Sequence, residues 1–453
     1  MATMDALETL KVRRMTPTQY VTVAVGLLLV VLDGYDIALT SFSSPYIAEG
    51  FDIAPTELGM VGSGALVGLF IGATLIAPLG DKIGRRTTAI LGSVLATLGM
   101  FLSAGADTLS VLIAGRIVAG AGIGTLIAAI AIIFSELVSR KAYALVMALY
   151  AAGIPLGTFI GAQLVGPIVA DHGWRIGFEI GAVVTALSIP LTLIFMPESL
   201  AYLAGSRRAN ALERFNKTLK KLRIEPVSEL PVADNLTKVK YPISEVLKGR
   251  LLARTALAAL AYFLFMLSFY FATNWAPKYL ADVSGDPTSA PSLMSAFSVG
   301  GLVGVAVFAI VTARSNPRTL YVMTAAATLL ASIGLIWYGH AATIQSHPYL
   351  IFGMASFFLA AGTAGFYAIT PRLYPEKVRS TGYGVVIGVG RIGGIIAPTL
   401  GGWFFDAGTD PQTIFWLFGI PLVASTVTTL VLMTFRNDRS EVVVPPAREA
   451  VAA

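Results

Sequence analysis

Apolar residues in this chain do not alternate with polar ones; they run in long blocks. The blocks fall at about 20–45, 58–79, 88–106, 109–135, 142–169, 175–196, 252–280, 290–313, 318–339, 347–371, 379–404 and 411–435. A helix of about 20 apolar residues crosses a hydrocarbon core roughly 30 Å thick, so each block is long enough to span one. A strand pattern would need period-two alternation, which is absent. One polar stretch interrupts the series and splits it into six segments plus six. The pattern predicts an all-α polytopic membrane protein with twelve transmembrane helices in two six-helix bundles. Residues 1–196 form the first bundle, 197–250 a linker, 251–436 the second bundle and 437–453 a tail.

Composition supports this. Hydrophobic residues make up 55% and charged residues only 13%, about half the charge of an average soluble domain, and the mean hydropathy is +0.75. There are no cysteines and three histidines. Thiolate chemistry, disulfides and Cys-ligated metals are therefore excluded. His172, His340 and His347 lie at predicted loop edges without metal-ligand spacing. No cleavable signal peptide is expected, because the first apolar block is full length.

The net charge of +6 would suit a polyanion until the basic residues are placed. With odd segments running outward, 28 of the 32 Lys and Arg fall on the side of the termini and the central stretch. The opposite loops carry acids such as Glu49, Asp52, Asp107, Asp286 and Asp410. The positive-inside rule then puts both termini in the cytoplasm and removes any need for nucleic acid. In the central stretch Leu212, Phe215, Leu219 and Leu222 share one helical face, ringed by Arg214, Lys217, Lys220, Lys221 and Arg223. Such a helix suits either an anionic inner leaflet or a plain tether between the halves, and the tether is the favoured reading. The two halves also echo each other: Gly124-Thr125 through Arg140-Lys141 to Gly153-x-x-x-Gly157 parallels Gly362-Thr363 through Lys377 and Arg379 to Gly390-x-x-Gly393. Repeated halves around a midplane site are a recurring transporter plan.

The turn after the second segment reads Gly80-Asp81-Lys82-Ile83-Gly84-Arg85-Arg86. Its glycines permit a tight reversal, and Asp81 and the arginines can pair across helix ends. This turn resembles the signature loop of the major facilitator superfamily. Gly115-Arg116-x-x-x-Gly120-x-Gly122-x-Gly124, Gly173-Trp174-Arg175 and Pro197-Glu198-Ser199 follow in the family's order, while the second-half loop from Thr312 to Arg318 is degenerate. Asp33-Gly34-Tyr35-Asp36, Asn274-Trp275-x-Pro277 and Tyr374-Pro375-x-x-x-Arg379-Ser380-Thr381-Gly382, leading to Gly390-Arg391-Ile392-Gly393-Gly394, resemble the aromatic acid:proton symporter branch. Sugar porters share Gly34-Tyr35-Asp36, but their Gln-Gln pair in the seventh segment and Pro-Glu-Thr after the twelfth are absent. Gly153-Ile154-Pro155-Leu156-Gly157 in the fifth segment differs from the Gly-Pro, Gly-Gly pattern of antiporters. The resemblance implies a monomer in the bacterial inner membrane that imports benzoate-like acids on the proton gradient, with no cofactor. Its signature loop, Gly80, Asp81, Gly84, Arg85 and Arg86 with Glu136 and Arg140 nearby, would act as a gate on the inner side.

Charges left inside the membrane are functional candidates, because each costs several kcal/mol unless paired. Asp33 and Asp36 share a helical face at roughly 20 and 24 Å along the first segment, and Arg116 enters the fourth to a similar depth. Two acids facing one arginine hold one charge well and two poorly, which suits a proton site; a static ion pair is the competing reading. Arg391 lies near the midplane about 12 residues into its segment, flanked by Gly388, Gly390, Gly393 and Gly394, which are expected to keep its surroundings open. A guanidinium grips a carboxylate bidentately, so Arg391 is the expected substrate anchor, against the alternative of a buried Arg satisfied by backbone or an unseen acid. Asn274, Trp275, Tyr35 and Tyr367 are the expected ring contacts. Glu136 is expected in a charge network with Arg140, and Glu179 in rim chemistry with Arg175.

The expected function is proton-driven import of a small aromatic carboxylate. The alternatives are proton symport of another small anion, such as a hydroxy acid or nicotinate, or transport of a sugar. A membrane enzyme would need an intramembrane His, which is missing. A sensor on the same scaffold would add a long soluble tail.

Overall fold

The computed structural model describes residues 9–205, 210–230, 242–313 and 315–435; the predicted tail, 437–453, lies outside them. Among the described residues, twelve helices are long and apolar enough to cross a membrane. They are α1 (Pro17–Phe51), α2 (Pro55–Ile83), α3 (Arg85–Ala104), α4 (Leu109–Leu137), α5 (Arg140–His172), α6 (Trp174–Phe195), α7 (Gly249–Ser284), α8 (Ser289–Thr312), α9 (Pro317–Thr343), α10 (Pro348–Leu373), α11 (Arg379–Asp406) and α12 (Pro411–Phe435). The expected all-α, twelve-span architecture holds. Several helices outrun their apolar blocks because polar caps extend them. The Thr16 side chain accepts the Gln19 amide in a reciprocal capping box, and Asp52 closes α1 in the left-handed region, both satisfying end groups the apolar run cannot.

Two helices change pitch where proline removes a donor. Pro78 and Pro167 leave carbonyls one turn earlier without their usual N–H, and α2 and α5 widen to π turns at Gly72–Ile76 and Gly161–Val165. Helices approach closely where side chains vanish. Gly68 faces the backbone of Ile117, and Gly304 faces that of Phe357, the small-residue contact that drives helix association in lipid.

Call the side carrying the central segment the terminal face and its opposite the far face. The two bundles meet in their far halves. The Asp406 carboxylate accepts the Thr56 amide at 2.8 Å, and Ser63 Oγ donates to the Ile395 carbonyl at 2.6 Å. Gln163 Nε2 donates to Ser295 Oγ at 2.7 Å. Gly59 abuts the Pro398 backbone and Gly402 the Pro55 backbone. Toward the terminal face Gly384 and Gly388 look onto open space, and Tyr367 is half exposed. The molecule is closed at its far face and open at its terminal face.

The helix of the central segment, Ala211–Lys221, forms as predicted, and Phe215, Leu219 and Leu222 are fully buried against Leu10, Leu137, Val138, Met196 and Leu203. Arg13 donates to the Arg223 carbonyl at 2.7 Å and Thr18 to that of Lys221 at 2.8 Å. The apolar face packs on the first bundle and so is not turned to the leaflet, while the segment still joins the two halves.

Candidate functional site

Asp33 and Asp36 lie one turn apart on α1, both 2% exposed, and both line a small cavity with Arg116, Tyr270 and Asn274. The cavity holds about 30 Å³, room for a water or two but not for an aromatic ring. The two acids do not share Arg116. Asp36 takes the guanidinium with both oxygens, at 2.7 and 2.6 Å, and Arg116 also stands over the Phe178 ring at 5.4 Å. The expected proton pair therefore divides. Asp36 is spent on a buried ion pair joining α1 to α4, while Asp33 keeps an oxygen, Oδ1, buried without a hydrogen-bond partner.

This division has a testable consequence. Breaking a buried ion pair by neutralising one member leaves the other uncompensated, at a cost of about 3–5 kcal/mol. Asp36→Asn should lower the thermal midpoint of the purified protein in detergent, and adding Arg116→Gln should recover part of the loss. An unchanged midpoint in the single variant would show that the pair does not hold α1 to α4.

The strongest charged neighbour of Asp33 is Asp36, one turn away on α1. The Arg391 guanidinium is near enough to act electrostatically on the Asp33 carboxylate, and among the described residues the two make no ion-pair contact. One guanidinium nitrogen of Arg391 is itself buried without a partner. Arg391 comes from α11 in the second bundle and Asp33 from α1 in the first, so two groups that each keep an unpartnered polar atom act on each other electrostatically from different bundles. Tyr150, Tyr270 and Tyr383 lie within electrostatic reach of Arg391, and Tyr367 is within reach of the same three. Tyr367 also packs against the Tyr262 and Tyr383 rings, at 6.3 and 6.4 Å between centroids.

Several expected contacts sit elsewhere. The glycines around Arg391 do not open its surroundings as predicted. The places where side chains would begin on Gly390, Gly393 and Gly394 are filled by Tyr262, Phe263 and Tyr270 of α7, and of the four only Gly388 faces open space. Tyr35 is 7% exposed and donates to the Gly177 carbonyl at 2.5 Å, pinning α1 to α6 away from Arg391. Trp275 donates to the Pro398 carbonyl at 2.9 Å and packs on Phe405, joining α7 to α11 inside one bundle. Asn274 does line the cavity, its amide donating to the Tyr270 carbonyl at 2.8 Å.

The signature turn is a network within the first bundle. Gly84 has φ +104°, and the Glu198 carboxylate occupies the space its side chain would need, so only glycine serves there. Glu198 accepts the amides of Arg86 and Ser199, each at 2.9 Å. Asp81 pairs with Arg85, whose side chain also fills the room left at Gly80. Arg86 donates to the Leu193 carbonyl. Glu136 accepts the Ser199 hydroxyl at 2.6 Å and lies near Arg85 and Lys11 in a group of charges at the helix ends, and Arg140 is likewise engaged. The turn thus binds the α2–α3 junction to the ends of α4 and α6. Glu179 is exposed; Arg175 donates to the Ala106 carbonyl at 2.8 Å and lies over the Trp174 ring at 4.4 Å, in place of the predicted partnership.

Sequence reasoning passed over Tyr150 and Tyr383. Tyr383 stands two turns before Arg391 on α11, a spacing visible in the sequence. Tyr150 could be found only by knowing that α5 packs on α1 beside Asp33. Gly34 there meets the Ile154 carbonyl, and Thr158 Oγ1 donates to the Gly34 carbonyl at 3.0 Å.

The family model of the Major Facilitator Superfamily matches residues 26–364 and 342–453. The chain belongs to the major facilitator superfamily. This superfamily comprises transporters rather than enzymes, and the twelve spans make the chain a multi-pass membrane protein. Two curated relatives match nearly end to end. A gallate transporter of Pseudomonas putida is 26% identical, covering 95% of each chain. A benzoate transport protein of Acinetobacter baylyi is 24% identical, covering 96% of this chain and 94% of its own. These place the chain beside the aromatic acid branch of the superfamily. The xylose transporter XylE of E. coli, solved in a partially occluded inward open conformation, superposes with a TM-score of 0.66 at 18% identity, over 91% of this chain and 97% of its own. That likeness supports the major facilitator fold.

Proposed function

We propose that this protein is a proton-coupled symporter that imports a small aromatic carboxylate, of the benzoate or hydroxybenzoate class, across a bacterial inner membrane by alternating access. The observation that carries it is the pair of opposite charges, Asp33 and Arg391, which come from different bundles, act on each other electrostatically and each keep a buried atom without a partner. The gallate and benzoate relatives favour an aromatic acid, since gallate and benzoate share a ring and a carboxylate and differ in ring hydroxyls.

The geometry supplies a coupling rule. With no substrate, Arg391 is the cation whose charge favours an ionised Asp33. A substrate carboxylate arriving at Arg391 accepts the guanidinium fork and takes that compensation away. A buried carboxylate without a cation partner is costly as an anion, so Asp33 then takes up a proton. Carboxylate and proton are loaded together, and the site carries the same net charge loaded as empty. Asp36 and Arg116 hold α1 and α4 in register while this happens. The bundles then rock about the occupied site, and the substrate shifts the balance only by its unequal affinity for the two states. On this reading the terminal face, which carries most Lys and Arg, is cytoplasmic, and the observed state faces inward.

A competition panel tests the substrate class. In cells or vesicles carrying the protein, benzoate and hydroxybenzoates should be taken up and should compete with one another. Lactate and xylose should not compete. Uptake of an aliphatic acid or a sugar with no aromatic competition would contradict the assignment.

A further inference from the structure

Resting on that reading of the substrate, the structure assigns Tyr150 a role that neither the motifs nor the fold supplies: we propose that it determines specificity by accepting a hydrogen bond from a ring hydroxyl. The Tyr150 hydroxyl is already committed as a donor. It donates its only proton to the Ile127 carbonyl of α4, at 3.1 Å. A phenol has one donor and acceptor lone pairs, so toward anything else Tyr150 presents an acceptor alone.

Its placement makes that acceptor useful. Tyr150 is half-buried and lies within electrostatic reach of Arg391, Tyr367 and Asp33. It sits one turn before Ile154, whose carbonyl meets Gly34 beside Asp33. Its ring is held edge-on against Phe134, with centroids 6.1 Å apart. The hydroxyl is therefore fixed by a backbone bond at its tip and a ring contact along its body, which removes most of the ordering cost of using it in recognition.

Arg391, on the second bundle, offers donors only. Tyr150, on the first, offers an acceptor only. A ligand with a carboxylate at one end and a hydroxyl at the other satisfies both and bridges the bundles. Benzoate satisfies Arg391 and leaves Tyr150 with nothing. A site built to hydrogen-bond a substrate hydroxyl discriminates against the analogue that lacks one.

The test compares binding of benzoate, 3-hydroxybenzoate and 4-hydroxybenzoate to the purified full-length protein and its Tyr150→Phe variant. Phenylalanine keeps the ring contact with Phe134 and deletes only the hydroxyl. The wild type should bind at least one hydroxybenzoate about fivefold or more tighter than benzoate, as one hydrogen bond predicts. Tyr150→Phe should bring that ratio to within about twofold by weakening the hydroxybenzoate, with benzoate affinity retained as the sign of an intact fold. A ratio near one in the wild type, or an unchanged ratio in Tyr150→Phe, overturns the role of Tyr150 and leaves aromatic acid transport standing. Loss of all binding in Tyr150→Phe also overturns it, placing the residue in the fold. If the wild type binds none of the three acids, the substrate class falls and this inference falls with it.

Discussion

Asp33→Asn should abolish accumulation driven by a pH gradient while leaving exchange of substrate across the membrane. One proton carried per carboxylate predicts roughly tenfold accumulation for each pH unit, because a unit is worth about 1.4 kcal/mol. Asparagine has nearly the same shape as aspartate, but its amide cannot take up a proton in response to a substrate at Arg391. The variant should therefore equilibrate labelled substrate, and exchange it for unlabelled substrate inside, without concentrating it. The side chain has 2% exposure and an oxygen without a partner, so the substitution removes no hydrogen bond from that oxygen. Measuring counterflow beside gradient-driven uptake separates the two activities. A variant that still concentrates substrate in proportion to the gradient would move proton coupling away from Asp33.

Arg391→Lys should weaken substrate binding by about 2 kcal/mol, roughly 30-fold, with the protein still folded. Lysine preserves the charge, so long-range attraction between α11 and Asp33 survives. What it loses is the planar fork that holds both carboxylate oxygens at once. One nitrogen of Arg391 is buried with no partner, which leaves it available for a second contact with a carboxylate. Equilibrium binding of the best substrate from the panel reads the effect, with the thermal midpoint as the control for folding. Unchanged affinity would assign the carboxylate to another group.

The fold was legible because its determinants are local. Twelve apolar blocks and one polar interruption follow from the thickness of a membrane, and they need no knowledge of contacts. The charged site was legible in its members and not in its pairings. A separation of three residues puts Asp33 and Asp36 on one face, but which of them captures Arg116 depends on how α1 packs against α4. On α1 and α7 the placements of Tyr35 and Trp275 share a cause. Tyr35 follows Asp33 by two positions, which on a helix turns it roughly 200° away, so it points at α6. Trp275 is next to Asn274 in sequence, yet it shares a face with Phe271, which stacks on Phe418 at 3.8 Å. Asn274 shares its face with Tyr270 and lines the cavity. Adjacency along a helix separates side chains, and only spacings of three and four bring them together.

Glycines misled for a different reason. An absent side chain is space only if no neighbour fills it, and α7 places Tyr262, Phe263 and Tyr270 against Gly390, Gly393 and Gly394. Those aromatics close the helix against α7 and leave Gly388 and Gly384 facing open space. The same packing brings in Tyr383, which has no place in any motif. The amphipathic helix of the central segment follows this pattern too: its face was correctly read as apolar, but its occupant proved to be the first bundle.

Coupled import would move one proton and one aromatic carboxylate together through a site shared by Asp33 and Arg391. The most direct measurement is uptake of labelled substrate into proteoliposomes with an alkaline lumen, run beside protein-free vesicles and Asp33→Asn vesicles. Accumulation above the protein-free level should grow with the imposed gradient, collapse with a protonophore and be missing in Asp33→Asn. Uptake that reaches the same level whatever the gradient, or that is the same in both proteins, would contradict coupled import.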